Sequence, residues 1–291
     1  MNDSFLGTFK VDEIDSAVDI DAVILGVPFE DNMDIYPKGA TLAPKTIRES
    51  SNYLSGQSFT QQSIHQQNVL DFGDIKVNSD YKKTIQIQSK KIESIFKKKA
   101  MPVIIGGDHS IALGTAMGIE LNKQEIDGIV WLDAHLDLME KYPKDEKYTR
   151  ATVLKRIFEL EKFDQKEYYF IGTRGHNLGL EEVDFVKEND MKVLETNRIT
   201  DYSSIDKFIQ NITSNNLYVS LDIDVLDPAF APGVSVPEPG GLSTRELFYI
   251  ISKLAKKIKC FEIVEVNPKV DMNNQTSLVA CKAIFELFDN K

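Results

Sequence analysis

The sequence predicts an α/β fold: a three-layer α/β/α sandwich around a parallel sheet of about eight strands, in one domain spanning residues 1–291. Three observations carry this expectation. Short apolar runs rich in β-branched residues alternate with longer amphipathic stretches along the whole chain. The short runs have few polar interruptions, as strands buried on both faces require. No Pro/Gly/Ser-rich linker, internal repeat or low-complexity tract divides the chain.

In order, the strand-like runs are Ala22–Val27, Val69–Phe72, Pro102–Ile105, Ile129–Leu132, Tyr168–Ile171, Lys192–Leu194, Leu217–Leu221 and Phe261–Val266. Helical patterns fall between them near Pro44–Leu54, Tyr81–Lys98, Ile111–Leu121, Thr152–Leu160, Leu180–Glu188, Ser204–Ile212, Thr244–Lys257 and Ser277–Phe288. The Lys97-Lys98-Lys99 run closes one of these helices, where cations complement the helix dipole.

With 42% hydrophobic residues over 291 positions, the chain has enough apolar side chains for a continuous core. A net charge of −11 argues against nucleic acid or an anionic membrane as partner, since both attract basic surfaces. Met1–Lys10 lacks a basic start followed by an apolar stretch, and no run approaches the length of a membrane span. A cytoplasmic location is therefore expected, with Cys260 and Cys281 as buried free thiols.

Three segments share one design. Pro102–Ile105 leads into Gly106-Gly107-Asp108-His109, Ile129–Leu132 into Asp133-Ala134-His135-Leu136-Asp137, and Leu217–Leu221 into Asp222-Ile223-Asp224. In each, metal-type side chains begin where the apolar run stops, and in a parallel sheet all such points share the carboxyl edge where α/β proteins bind ligands. Residues two apart on a strand point the same way, so Asp133 can converge with His135, and Asp222 with Asp224. Asp137 can join them as the strand gives way to a loop. Clustered carboxylates cannot all stay ionised without a counter-charge, and a pair of divalent cations supplies it. The mixed oxygen and nitrogen donor set of His109, Asp133, His135, Asp137, Asp222 and Asp224 suits Mn²⁺, Fe²⁺ or Zn²⁺. A lone Asp-x-His or Asp-x-Asp is ordinarily a strand end or cap. Its recurrence at three strand ends makes that reading untenable here.

These motifs resemble the signatures of the ureohydrolase (arginase/agmatinase) family, which stand in this sequence as Gly106–His109, Asp133–Asp137 and Ser220–Pro228. The resemblance runs from about Gly26 to Pro268 and takes in Gly39-Ala40, Pro44 and Ile47-Arg48. It implies two Mn²⁺ per chain, one held by His109, Asp133, Asp137 and Asp222, the other by Asp133, His135, Asp222 and Asp224. It also implies attack of an activated water on a guanidinium carbon, with Asp137 as proton acceptor and Glu265 as the carboxylate that binds the guanidinium. A small guanidino substrate and a homotrimer or homohexamer follow by the same resemblance. Agmatinase, which yields putrescine and urea, is the leading expectation. A guanidino-acid hydrolase, a formimidoylglutamase, or a catalytically weak metal-binding assembly subunit are the alternatives.

The sequence departs from the family at two places. Where many agmatinases carry a proton-shuttling His, Tyr148-Thr149-Arg150-Ala151-Thr152 places Arg150, which stays protonated at any working pH. Arg150 is expected at the crevice mouth, facing the distal end of the substrate and favouring a carboxylate there. Its bland alternative is a fold back onto an acidic neighbour such as Glu146. His176, after the strand at Tyr168–Ile171, is a candidate to replace the missing shuttle, while His65 is expected in a solvent-exposed loop. The second departure is Gly233-Val234-Ser235-Val236-Pro237, expected to border the substrate.

Overall fold

Nine parallel strands form a single sheet in the computed structural model, which describes residues 4–10, 19–33, 35–59, 67–122, 125–176 and 178–291. The strands are β1 (Phe9–Lys10), β2 (Ala22–Val27), β3 (Val69–Asp74), β4 (Met101–Gly106), β5 (Gly128–Leu132), β6 (Glu167–Ile171), β7 (Lys192–Leu194), β8 (Leu217–Asp222) and β9 (Ile258–Val264). The helices are α1 (Ala43–Ser51), α2 (Tyr81–Lys97), α3 (Ala112–Asn122), α4 (Val153–Phe158), α5 (Leu180–Glu188), α6 (Tyr202–Gln210), α7 (Thr244–Leu254) and α8 (Gln275–Asp289). The eight expected strands are present. The ninth, β1, adds a two-residue edge against Leu70 and Asp71, too short to show any periodicity in sequence.

Alternation along the strands produces the three layers. In β5, Val130 and Leu132 enter the core beneath α1, α6, α7 and α8. Ile129 and Trp131 enter the opposite core beneath α2, α3, α4 and α5. Each strand residue thus packs against one helical layer or the other, which is why the strand runs read as continuously apolar. Cys260 and Cys281 are buried free thiols, as the sequence led us to expect. Among the described residues, no helix is long and apolar enough to cross a membrane. His65 lies outside the described residues.

The spatial order β1-β3-β2-β4-β9-β8-β5-β6-β7 sets the position of the site. The four neighbouring central strands β4, β9, β8 and β5 are those whose carboxyl ends carry the metal-type and acidic residues. β9 starts at Ile258 and stops at Val264, earlier than expected at both ends. Glu265 therefore leaves the strand, with a left-handed φ of 65°. At the end of β4, a Cβ on Gly107 would lie 1.8 Å from the Phe29 carbonyl oxygen, so only glycine permits this approach. The approach lets Asp108 N–H donate to Phe29 O and brings Asp31 beside Asp108.

Candidate metal centre and active site

Three strand ends bring the six metal-type side chains together. His109 Nδ1 lies 3.1 Å from Asp133 Oδ2, 3.1 Å from Asp137 Oδ2 and 3.2 Å from Asp222 Oδ2. His135 Nδ1 lies 3.3 Å from Asp133 Oδ1 and 3.2 Å from Asp224 Oδ2. Asp133 thus offers one oxygen to each group, and the two triads His109-Asp133-Asp137 and Asp133-His135-Asp224 each have the compactness of an ion site. Asp137, like Glu265, takes a left-handed backbone (φ 54°), which turns the chain back over the strand end. Asp222 and Asp133 also cap the turns that follow them, accepting from Asp224 N and His135 N.

The donor set fits cations. His109 Nδ1 and Asp133 Oδ2 are buried without a hydrogen-bond partner, although they face one another across the cluster. Burial and the neighbouring Asp133 raise Asp137 to about 7, and burial with Asp224 and Asp133 drives Asp222 well above the usual carboxylate range. Burial opposes charge on the His109 ring, but Asp133, Asp137 and Asp222 outweigh it and hold its pKa well above the ordinary imidazole value. Four carboxylates converging in a dry crevice demand positive charge between them, and a pair of divalent ions meets that demand.

Behind the cluster runs a support that the sequence reading missed. His109 Nε2 lies 2.8 Å from Ser220 Oγ, which donates to Glu262 Oε1 at 2.7 Å. Because Ser220 spends its proton on Glu262, it accepts from His109 Nε2–H, so Nδ1 is the nitrogen that faces the carboxylates and the one that would serve as a ligand atom for an ion there. Tyr218 and Thr115 hydroxyls also donate to Glu262. Trp131 stacks on the His109 ring at 4.1 Å and 5°. The signal was in view: a glutamate inside the apolar run of β9, paired in register with Ser220 of β8.

Arg150 is not at the crevice mouth, and this corrects the expectation. Its side chain is buried, with Nη1 donating to Glu265 Oε2 at 2.8 Å and Nη2 to Asp31 Oδ1 and Asp108 Oδ2, each at 3.2 Å. Its Nε and backbone N–H both donate to Asp31 Oδ2. A guanidinium buried among three carboxylates is far better solvated there than facing a small crevice alone, so it turns inward. Its partners come from three loops distant in sequence, and Glu146 is not among the contacts found. Glu265 Oε1 accepts from His109 N–H at 2.8 Å, so both oxygens of Glu265 have donors. Burial lifts Glu265 to about 7 against the pull of Arg150, and lifts Asp108 to about 8 with the help of Asp31.

His176 is also displaced from its expected role. It is exposed and absent from the cavity lining, because the chain turns at Gly175 (φ 84°) and sends Arg174 inward instead. Arg174 donates to the backbone carbonyls of Gly172, Asp224, Val225, Leu226, Glu238 and Pro239, clamping the turn that carries Asp224. The cavity over the cluster is walled by Tyr36, Met139, Tyr142, Leu178 and Val236, so the Gly233–Pro237 loop does border it. Glu182 lines it too, accepting from Leu138 N–H and Gly179 N–H at 2.9 and 2.8 Å.

A parallel α/β/α sheet whose central carboxyl edge gathers two His/Asp clusters beside a buried glutamate defines a metal-dependent hydrolase site. Comparison with known proteins agrees. The Arginase family profile matches residues 20–289, and the chain belongs to that family, whose enzymes are hydrolases of C–N bonds in linear amidines and use a binuclear metal centre. The N(1)-aminopropylagmatine ureohydrolase of Thermococcus kodakarensis is 34% identical over 271 residues, covering 90% of this chain and 88% of that protein. The agmatine ureohydrolase of Thermoplasma volcanium superposes with a TM-score of 0.83 at 28% identity, covering 97% and 95% of the two chains. The proclavaminate amidino hydrolase of Streptomyces clavuligerus superposes with a TM-score of 0.88 at 25% identity, covering 100% and 97%.

Proposed function

We propose that this chain hydrolyses the guanidino C–N bond of a small compound whose other end carries an ammonium, releasing urea and an amine. Agmatine, which would give putrescine, is the simplest such substrate. The observation that carries this reading is the charge lining the cavity beyond the cluster. Arg150 is committed to Glu265, Asp31 and Asp108, which leaves Glu182 as the remaining charged side chain in the described lining. That single carboxylate, held by two backbone N–H groups, attracts an ammonium tail and repels the carboxylate of a guanidino acid or formiminoglutamate.

In this reading His109, Asp133, Asp137 and Asp222 hold one divalent ion, and Asp133, His135, Asp222 and Asp224 the other, with Mn²⁺ the expected metal. Bound there, the pair would polarise water and substrate and neutralise charge that develops at the reacting carbon. Glu265 orients the guanidinium head. The Asp137 carboxylate takes the proton from the attacking water and returns it to the leaving nitrogen as the C–N bond breaks, so that urea and a protonated amine depart. The apolar wall formed by Tyr36, Met139, Leu178 and Val236 limits water around the reacting head.

The test is release of urea by the Mn²⁺-loaded protein from agmatine, guanidinobutyrate, guanidinopropionate and arginine, with formamide release followed for formiminoglutamate. Agmatine should give the highest kcat/KM. A higher value for guanidinobutyrate or formiminoglutamate would reverse the assignment of the tail.

A further inference from the structure

We propose that Arg150 is a specificity-determining residue that competes, from inside the protein, with the substrate guanidinium for Glu265. The inference rests on the reading above in taking Glu265 as the carboxylate that receives the head group. Arg150 Nη1 already sits 2.8 Å from Glu265 Oε2, and the His109 amide sits 2.8 Å from Oε1. A substrate guanidinium that reaches Glu265 must share it with a resident guanidinium of the same charge.

Nothing suggests that Arg150 steps aside. Its Nε and Nη2 are spent on Asp31 and Asp108, Glu30 lies 3.9 Å from Nη2, its aromatic neighbour Tyr36 lies 5.9 Å from the guanidinium carbon, and the side chain is 7% exposed. Pulling it out would strand three buried carboxylates, which costs far more than one new ion pair returns. Arg150 therefore stays, and the head group is held loosely in the ground state.

That has a defined kinetic meaning. Binding energy that substrate and transition state share lowers KM without raising kcat. By withholding part of that energy at Glu265, Arg150 raises KM for cationic heads and transfers discrimination to the tail end of the cavity. A merely structural role for Arg150 predicts the opposite: weaker binding when it is replaced.

The experiment measures binding of the guanidinium ion, by calorimetry, to the metal-loaded enzyme and to Arg150→Lys, Arg150→Gln and the same variants carrying Glu265→Gln. Arg150→Lys keeps a cation of similar length among Asp31 and Asp108, so the fold and the filled space are retained while the planar fork to Glu265 is lost. Arg150→Gln removes the charge outright. Guanidinium should bind at least one of the two single variants about tenfold more tightly than it binds wild type, as freeing a buried charge partner allows. Adding Glu265→Gln should abolish the gain. No gain in either variant, or a gain that survives Glu265→Gln, overturns the proposal. Urea release from agmatine is scored separately. A gain at Glu265 without agmatine hydrolysis sinks the substrate reading alone, and hydrolysis without the gain sinks this inference alone.

Discussion

His109 and Ser220 are joined at 2.8 Å through Nε2 and Oγ, and that one contact fixes which nitrogen of the ring faces the carboxylate cluster. Ser220→Ala should free the ring to rotate or change tautomer without disturbing any cluster carboxylate. Replacing such an outer partner typically costs about 10–100-fold in metal affinity. We expect a loss in that range, measured by competition with a chromophoric chelator, with the melting temperature of the metal-free protein little changed. Full affinity in Ser220→Ala would mean that Trp131 stacking alone orients the ring.

Metal removal should expose the strain among the carboxylates. Asp137 keeps its proton up to about 7 in the fold because burial and Asp133 disfavour its charge, whereas an unfolded Asp releases it near about 3.9. Between those values the folded state binds the extra proton, so its stability falls as pH climbs from about 4 to about 7, and the raised Asp222 and His109 carry the fall beyond that. Chemical denaturation of the chelated protein at pH 5, 6, 7 and 8 should trace this decline. Saturating Mn²⁺ should flatten it, and a metal-free protein whose stability rises over the same range would contradict the charge balance drawn for the cluster.

Arg174 offers a third test. Its guanidinium holds six carbonyl oxygens, those of Asp224, Val225 and Leu226 in the Asp224 turn and those of Gly172, Glu238 and Pro239 beside it, a geometry that a lysine ammonium cannot reproduce. Arg174→Lys should destabilise the protein by about 1–3 kcal/mol, as the loss of a part-buried hydrogen-bond network does. It should also weaken the ion held by His135 and Asp224 more than the one held by His109. Elemental analysis after limited dialysis would then give close to one ion per chain. Retention of two would confine Arg174 to stability.

Glu182 tests the tail. Glu182→Gln keeps the shape and loses the charge, with its one oxygen still accepting from either Leu138 or Gly179 and the other N–H left without its acceptor. KM for agmatine should rise about tenfold with kcat nearly unchanged, while that for guanidinobutyrate should fall. Equal effects on both substrates would place the tail elsewhere.

The layer order and the six cluster residues were legible because each depends on local rules. Strand ends announce themselves where apolar runs stop, and a two-residue spacing on a strand fixes a common direction. Arg150 was not legible, because its partners Asp31, Asp108 and Glu265 lie at three loop positions that only the strand order brings together. The nearest acid in sequence, Glu146, was the natural candidate and the wrong one. Glu262 was visible as an acid inside an apolar strand, but its meaning needed the register that sets it opposite Ser220. His176 failed for a single-residue reason: the left-handed turn at Gly175 exchanges which neighbour faces inward.

The left-handed backbones of Asp137 and Glu265 have a practical consequence for anyone engineering this enzyme. At such dihedrals glycine relieves about 1 kcal/mol of conformational strain that an L side chain must bear. A metal-free library screened only for heat resistance would therefore be drawn toward glycine at position 137, where burial and Asp133 already disfavour the carboxylate, whereas at position 265 the stranding of buried Arg150 outweighs the strain. Selection for durability and selection for metal occupancy pull position 137 in opposite directions, so a thermal screen of this protein has to carry an activity readout beside it.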